Sequence, residues 1–333
     1  MRRDLTAEEI AAVLALYDVG RPTGAVASGG GTANANAVVE TPAGRFFLKR
    51  RNPKYARPEY VAFDHRLMEH LAARRVGTPL ACPTSAGERW LTLDGAVYEL
   101  YPFVAGEPHD RRSLAQIAAA GTALAAYHRA VRDFAPPPGK AWPRYRDPRA
   151  IRSGLDAVRG EVQALLAPAD TRYLEAQVTL LERGLSDARY AALPRTVVHG
   201  DYHPGNLKFA ADRVVGIFDL DWATVQPRVL DLADGTVLFA GVRDSDIDDA
   251  DIVSLTQTWR PSAERTRAFV EAYLAGQPLA AEEHEALPLF VRALWLSCRV
   301  EGMAKVAVER RAPYLVEGLL EPLRRLDAME KGS

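Results

Sequence analysis

The chain of 333 residues has few cysteines, no long apolar run and almost no net charge. Its two cysteines, Cys82 and Cys298, stand far apart, which gives no disulfide framework and fits a reducing compartment. No stretch approaches the roughly eighteen consecutive apolar residues of a membrane span, and the opening MRRDLTAEEI lacks the apolar core of a secretion signal. A soluble cytoplasmic protein with no membrane partner is expected. The 42 Lys and Arg balance 43 Asp and Glu and form no tail, so no nucleic-acid partner is expected either. Repeats and low-complexity tracts are also missing. What the chain does have is 48% apolar side chains, enough for one large core or two medium ones of different architecture. Two lobes are the first expectation.

Residues 1–20 read as a short amphipathic helix, with Thr6 as N-cap, Glu9 three residues on, and Ile10, Val13, Leu14 and Tyr17 at helical spacing. From Gly24 to Tyr101 most apolar runs are short and β-rich: Val38-Val39, Phe46-Phe47-Leu48, Trp90-Leu91-Thr92-Leu93 and Val97-Tyr98-Glu99-Leu100-Tyr101. Thr41-Pro42-Ala43-Gly44 and Asp94-Gly95 supply turn chemistry between them. One helix interrupts this sheet, from about Pro58 to Arg75. After Pro102 the period becomes helical, beginning with a capping box of Ser113 and Gln116 and ending near Asp133. The break falls near residues 101–106 and divides the chain into lobes 1–101 and 102–333. Pro136-Pro137-Pro138-Gly139 is a loop, and residues 151–190 look helical again. Short strands return at 196–198, 207–209 and 214–218, and from Leu230 on the pattern is helical, broken at Pro261, Pro278 and Pro313. The predicted fold is α+β, with a small antiparallel-sheet N-terminal lobe and a larger, mainly helical C-terminal lobe.

The segment VVHGDYHPGNLKF, residues 197–209, places a polar loop between two β runs, a position suited to chemistry. Asp201 and Asn206 are five apart, the spacing that in the kinase template sets a catalytic carboxylate beside an amide that binds Mg²⁺. In GIFDLDW, residues 216–222, Asp219 ends an apolar strand where that template has its metal-bridging carboxylate. Phosphoryl transfer needs charge neutralisation and alignment more than covalent help. Asp201 would orient a substrate hydroxyl and accept its proton, while Asn206 and Asp219 hold Mg²⁺ through hard oxygens. Asp221 is either a second metal ligand or a substrate-facing group, and Asp231 anchors the loop by hydrogen bonds.

HGDYHPGN, then IFDLDW, then DLAD resembles the aminoglycoside phosphotransferase and choline/homoserine kinase superfamily, two-lobed protein-kinase-like enzymes that phosphorylate small molecules. The resemblance covers about residues 20–240. It implies that SGGGTANANAVVETPAGRFFLKR is a glycine-rich hairpin, with Gly29, Gly30 and Gly31 near phosphate, followed by the strand bearing the ATP lysine, Lys49. It further implies that YELYPFVAG, with Glu99 and Tyr101, is a hinge pairing with adenine. LAAYH, ending at His128, resembles a family helix. The cofactors implied are ATP and Mg²⁺, and the partner is a small-molecule hydroxyl substrate. The family lysine pairs with an acid on the next helix; Asp64 stands near that place and Glu59 earlier, and Asp64 is expected. Gly200 replaces the Arg of HRD-type loops, and no activation loop fits between Asp219 and Asp231, so an always-on enzyme is implied. Acceptor contacts would come from residues 140–190 and 235–330, leaving amino alcohols, choline-like amines, sugars and aminoglycosides open.

Plainer meanings exist for each feature. Three glycines alone make a flexible turn, and Lys49 beside Arg50 and Arg51 is by default a solvated lysine; only the ordered set lifts them. His199 is read as a structural histidine, Trp222, Trp259 and Trp295 as core, and Arg299 and Glu301 as surface ion-pair residues. Two other functions compete: a metal-dependent hydrolase using His199, Asp201 and His203, and a nucleotide-binding pseudokinase. The first has no use for Lys49 behind a glycine hairpin, and nothing marks the site as dead.

Overall fold

The computed structural model describes residues 4–24, 27–28, 34–245 and 251–331. Helix α1, Ala7–Leu14, begins with the expected capping box, Thr6 and Glu9 each satisfying the other's backbone N–H. Five antiparallel strands follow: β1 (Ala27–Ser28), β2 (Ala35–Thr41), β3 (Gly44–Arg50), β4 (Leu91–Leu93) and β5 (Ala96–Pro102), in the order β1-β2-β3-β5-β4. Strand alternation turns Leu48 toward α1, where it joins Ile10, Val13, Leu14, Val39 and Leu100 in one core, and Arg50 reaches Glu9 on the same face. Lys49 and Arg51 therefore face the other way. That side is covered by α2, Pro58–Ala73, which starts with Pro at its first turn.

Beyond β5 the chain bridges to the C-terminal lobe, where Glu107 pairs with Phe209 through two backbone hydrogen bonds of 2.8 and 2.9 Å. Helix α3, Leu114–Ala130, is capped by Ser113. Gln116 does not complete a capping box; its side chain bonds Asp110 N and Ala211 O instead. Two small ribbons carry the loops of interest: β6 (Arg195–Val198) with β9 (Thr224–Pro227), and β7 (Leu207–Ala210) with β8 (Arg213–Ile217). Helices from Val229 onward, together with those between Pro148 and Ala192, build the largest core, around Leu181, Phe290, Leu294, Trp295 and Leu315. Leu67 and Leu71 of α2 share a core with Tyr127, Val197, Ile217 and Ala223, so apolar packing runs continuously beneath the cleft between the lobes. No helix among the described residues is long and apolar enough to cross a membrane.

Candidate active site

Two short stretches of backbone set the loop of residues 199–206. Gly200 sits at φ +78°, and a Cβ there would lie 2.6 Å from the Trp222 carbonyl oxygen, so the residue after His199 has to be glycine. Asp231, fully buried in helix Val229–Leu238, accepts from His199 N at 2.7 Å and Gly200 N at 2.9 Å. His128 of α3 meets Asp231 Oδ2 at 3.0 Å and is itself held by Tyr273 at 2.9 Å. Both ring nitrogens of His199 are in use, Nε2 donating to Phe218 O at 2.9 Å and Nδ1 accepting from Asp201 N at 3.3 Å. Burial lowers the His199 pKa, although Asp231 and Asp201 oppose it. A histidine so engaged fixes a loop and has no lone pair left for zinc. No group of three or more His, Cys, Asp or Glu able to hold a metal ion occurs among the described residues.

The loop delivers Asp201 and Asn206 to the cleft. Asn206 Nδ2 donates to Asp201 O at 2.9 Å and to Asp201 Oδ2 at 3.2 Å, which leaves its Oδ1 as an acceptor. Burial opposes the charge of Asp201, but His203 at 3.4 Å, His199 and Arg146 outweigh it and bring the carboxyl to about 2. Phe218 N donates to Asn206 O at 2.9 Å, so β8 runs directly from this loop to Asp219. Asp219 itself takes the left-handed conformation, φ 59° and ψ 70°, which an aspartate tolerates better than most residues.

Lys49 is 6% exposed. Its Nζ donates to Asp219 Oδ1 at 3.0 Å and to Asp221 Oδ1 at 2.7 Å, joining the sheet lobe to the catalytic lobe. Burial alone would lower the pKa of Lys49; Asp219 and Asp221 reverse that and raise it. Burial pushes the Asp219 carboxyl up, helped by Asp221, while Lys49 and Arg51 hold Asp221 below the usual carboxylate range against its own burial. Asp221 also accepts from Asn34 Nδ2 at 2.7 Å.

Several expectations need correction. Asp64 does not pair with Lys49: it is 1% exposed and bonds Arg51 at 2.6 Å and Lys140 instead. Lys49 is drawn to the carboxylates of the other lobe, and Arg51, on the same strand face, takes the helix acid. Glu99 and Tyr101 lie within β5 opposite Lys49 and Phe47, and the Glu99 side chain, fully buried, is turned to Arg51 at 2.8 Å and His65 at 2.7 Å. Arg299 is no surface residue: it is 4% exposed and donates to the carbonyls of Thr256 at 2.7 Å and Glu317 at 2.8 Å. Gly29, Gly30 and Gly31 lie outside the described residues. Sequence reasoning missed Asn34, Arg51 and Lys140. A polar residue after a glycine run was the one signal for Asn34, and nothing local marks a lysine 76 positions from the acid it serves.

The profile of the Phosphotransferase enzyme family matches residues 25–269. A homoserine kinase of Chelativorans sp. (strain BNC1) is 31% identical over 292 residues, covering 87% of this chain and 82% of that protein. Among solved structures, a microcompartment-associated aminopropanol kinase has a TM-score of 0.68 at 18% identity, over 97% of this chain and 98% of its own. Amicoumacin kinase in complex with AMP-PNP, Ca²⁺ and Ami has a TM-score of 0.65 at 14% identity, over 94% and 92%. At such identities the two structures speak for the fold, the expected two-lobed kinase-like one.

Proposed function

The chain belongs to the phosphotransferase enzyme family, and we propose that it moves the γ-phosphate of MgATP onto the hydroxyl of a small molecule that also carries a carboxylate. In this division of labour residues 1–101 hold the nucleotide and 102–333 supply catalysis and acceptor contacts. The observation behind it is the Lys49 ammonium lodged between Asp219 and Asp221, 3.0 and 2.7 Å away, with Asp201 on the adjoining loop. The donor set suits magnesium, which takes one or two protein oxygens at about 2.1 Å and fills its other positions with water and phosphate oxygens. Asn206 Oδ1 and the Asp219 carboxyl are such oxygens. The neighbouring fold solved with AMP-PNP and Ca²⁺ supports a nucleotide with a divalent ion.

When bound, Mg²⁺ would supply charge neutralisation to the transferred phosphate. Lys49 donates to phosphate oxygens from the sheet side. Asp201 accepts a hydrogen bond from the acceptor hydroxyl, aligns its oxygen and takes the proton as the new P–O bond forms and the bond from the γ-phosphorus to the β,γ-bridging oxygen breaks, releasing ADP. With its carboxyl near 2, Asp201 is a weak base, so alignment is the larger share of its work.

The carboxylate is inferred from two arginines. Arg146 meets Asp234 at 3.2 Å and acts on Asp201, while Arg243 donates to Val237 O at 3.3 Å and has no carboxylate partner among the described residues. Burial, together with Arg111, pushes Arg243 down to about 10. The Nε atoms of both arginines are buried without a hydrogen-bond acceptor, a state that an anionic ligand relieves. Both lie near enough to Cys298 to act on its charge, as do Asp234 and Glu301, so cations and acids gather in one region. A hydroxylated amino acid matches that pattern, as does the homoserine of the kinase from Chelativorans.

The test is ATP consumption against a panel of hydroxy amino acids, amino alcohols, sugars and aminoglycosides, with Asp201→Asn as blank. Turnover of a carboxylate-bearing alcohol is expected, with Arg243→Gln raising its KM about tenfold or more. Turnover of sugars alone would overturn the acceptor assignment and leave phosphotransfer standing.

A further inference from the structure

Three buried cations stand behind the turn that carries Asp219 and Asp221, where the sequence led us to expect Lys49 alone. Arg51 binds Glu99 at 2.8 Å through Nε and again through Nη2, binds Asp64 at 2.6 Å, and comes within 3.4 Å of Asp221. Lys140 follows the Pro136–Gly139 loop and is 8% exposed. Its Nζ bonds Asp64 Oδ1 and donates to the carbonyl of Leu220 at 3.2 Å. Leu220 is the residue between the two carboxylates.

We propose that Lys140 is a positioning residue for phosphoryl transfer: from its anchor on Asp64 of α2 it holds the Asp219–Leu220–Asp221 backbone where the metal and phosphates meet it. The inference rests on the phosphotransfer reading above. Its physical basis is that Asp219 sits at φ 59°, the left-handed region that L-residues adopt at a cost, so an outside hold on the turn favours it. An ammonium donating to a carbonyl in a buried setting is a charge-assisted bond and supplies one. Asp64 is thus a shared post: one of its cations grips the backbone of the turn, and the other approaches the Asp221 side chain. With Asp64 occupied by Arg51 and Lys140, Lys49 is left to Asp219, Asp221 and the phosphates. A lysine from the C-terminal lobe thereby links α2 to the metal-facing turn, so that the position of the helix and that of the carboxylates are set together.

A purely structural ion pair would lower stability without moving this turn. Trp222 reports the difference, because it follows Asp221 directly and stacks on Trp142, two residues after Lys140, at 5.2 Å between centroids. The experiment compares wild type with Lys140→Met and Lys140→Arg, using tryptophan emission without nucleotide and calorimetric ADP binding across a Mg²⁺ titration. In Lys140→Met, a shifted emission is expected together with a roughly tenfold rise in the Mg²⁺ needed for ADP binding, the scale typical of groups that orient metal ligands. Where Lys140→Met does not fold, Lys140→Arg carries the test; it keeps the charge on Asp64 and misplaces the donor to Leu220, so the same shifts are expected, smaller. A folded variant with unchanged emission and unchanged Mg²⁺ dependence overturns the proposal. Wild-type protein that binds ADP without regard to Mg²⁺ would instead count against the phosphotransfer reading, and the emission comparison would still decide the role of Lys140.

Discussion

Asp201 and His109 show how burial and neighbours pull in opposite directions on single side chains. Burial works against the Asp201 charge, yet His203, His199 and Arg146 bring its carboxyl to about 2, so it is ionised throughout the neutral range. Asp201→Asn keeps the shape and the bond to Asn206 but cannot accept a proton; we expect kcat to fall by about 10²- to 10⁴-fold with MgATP affinity little changed, read by steady-state kinetics and AMP-PNP calorimetry. His109 packs on Phe209 and Phe239 at 5.5 and 5.2 Å between centroids, and neither ring nitrogen has a hydrogen-bond partner. Burial pushes its pKa down to about 4 from an ordinary 6.5. Between those values the unfolded chain binds the extra proton, so stability rises with pH through that window and is lost as pH falls through it. His109→Phe removes the titration. Its urea midpoint at pH 5 is expected to exceed that of wild type, with little difference at pH 8; equal midpoints at pH 5 would contradict the cause assigned.

Elements with local signatures were legible. The Thr6–Glu9 box starts α1, Pro58 starts α2, and Asp94-Gly95 closes the β4–β5 hairpin with both residues at positive φ, 51° and 76°, as a two-residue turn of that kind requires. The β7–β8 hairpin carries its register in its own sequence, Leu207 facing Ile217. Strand β9 was not legible, because Thr224–Pro227 pairs with Arg195–Val198, and only the folded chain brings these together. Close packing of helices was equally hidden. A Cβ at Gly121 of α3 would run into the Phe269 carbonyl oxygen of helix Ala263–Leu274. Gly121→Ala is therefore expected to destabilise the protein by about 1–3 kcal/mol through overpacking, measurable by denaturant titration; an unchanged midpoint would mean that the two helices separate freely.

On the scale of the whole molecule, the site exists only where the lobes meet. Lys49 comes from the sheet, Asp201, Asn206 and Asp219 from the catalytic lobe, and the apolar seam of Leu67, Leu71, Tyr127 and Ile217 lies below them. The ordered motifs announced most of these groups, since each stands in a short run with its own turn chemistry. The buried relay from Glu99 through Arg51 and Asp64 to Lys140 did not announce itself: its members are scattered from residue 51 to residue 140, and isolated charges read by default as solvated. What unites both sets, on the proposed function, is a demand for charge balance around phosphate and metal. Anomalous diffraction from crystals grown with AMP-PNP and Mn²⁺ tests that demand in one step. The expected result is a manganese peak within about 2.2 Å of the Asn206 amide oxygen and the Asp219 carboxyl, with Lys49 turned to the phosphates. A peak at His199 and His203, or a nucleotide seated away from Lys49, would contradict it.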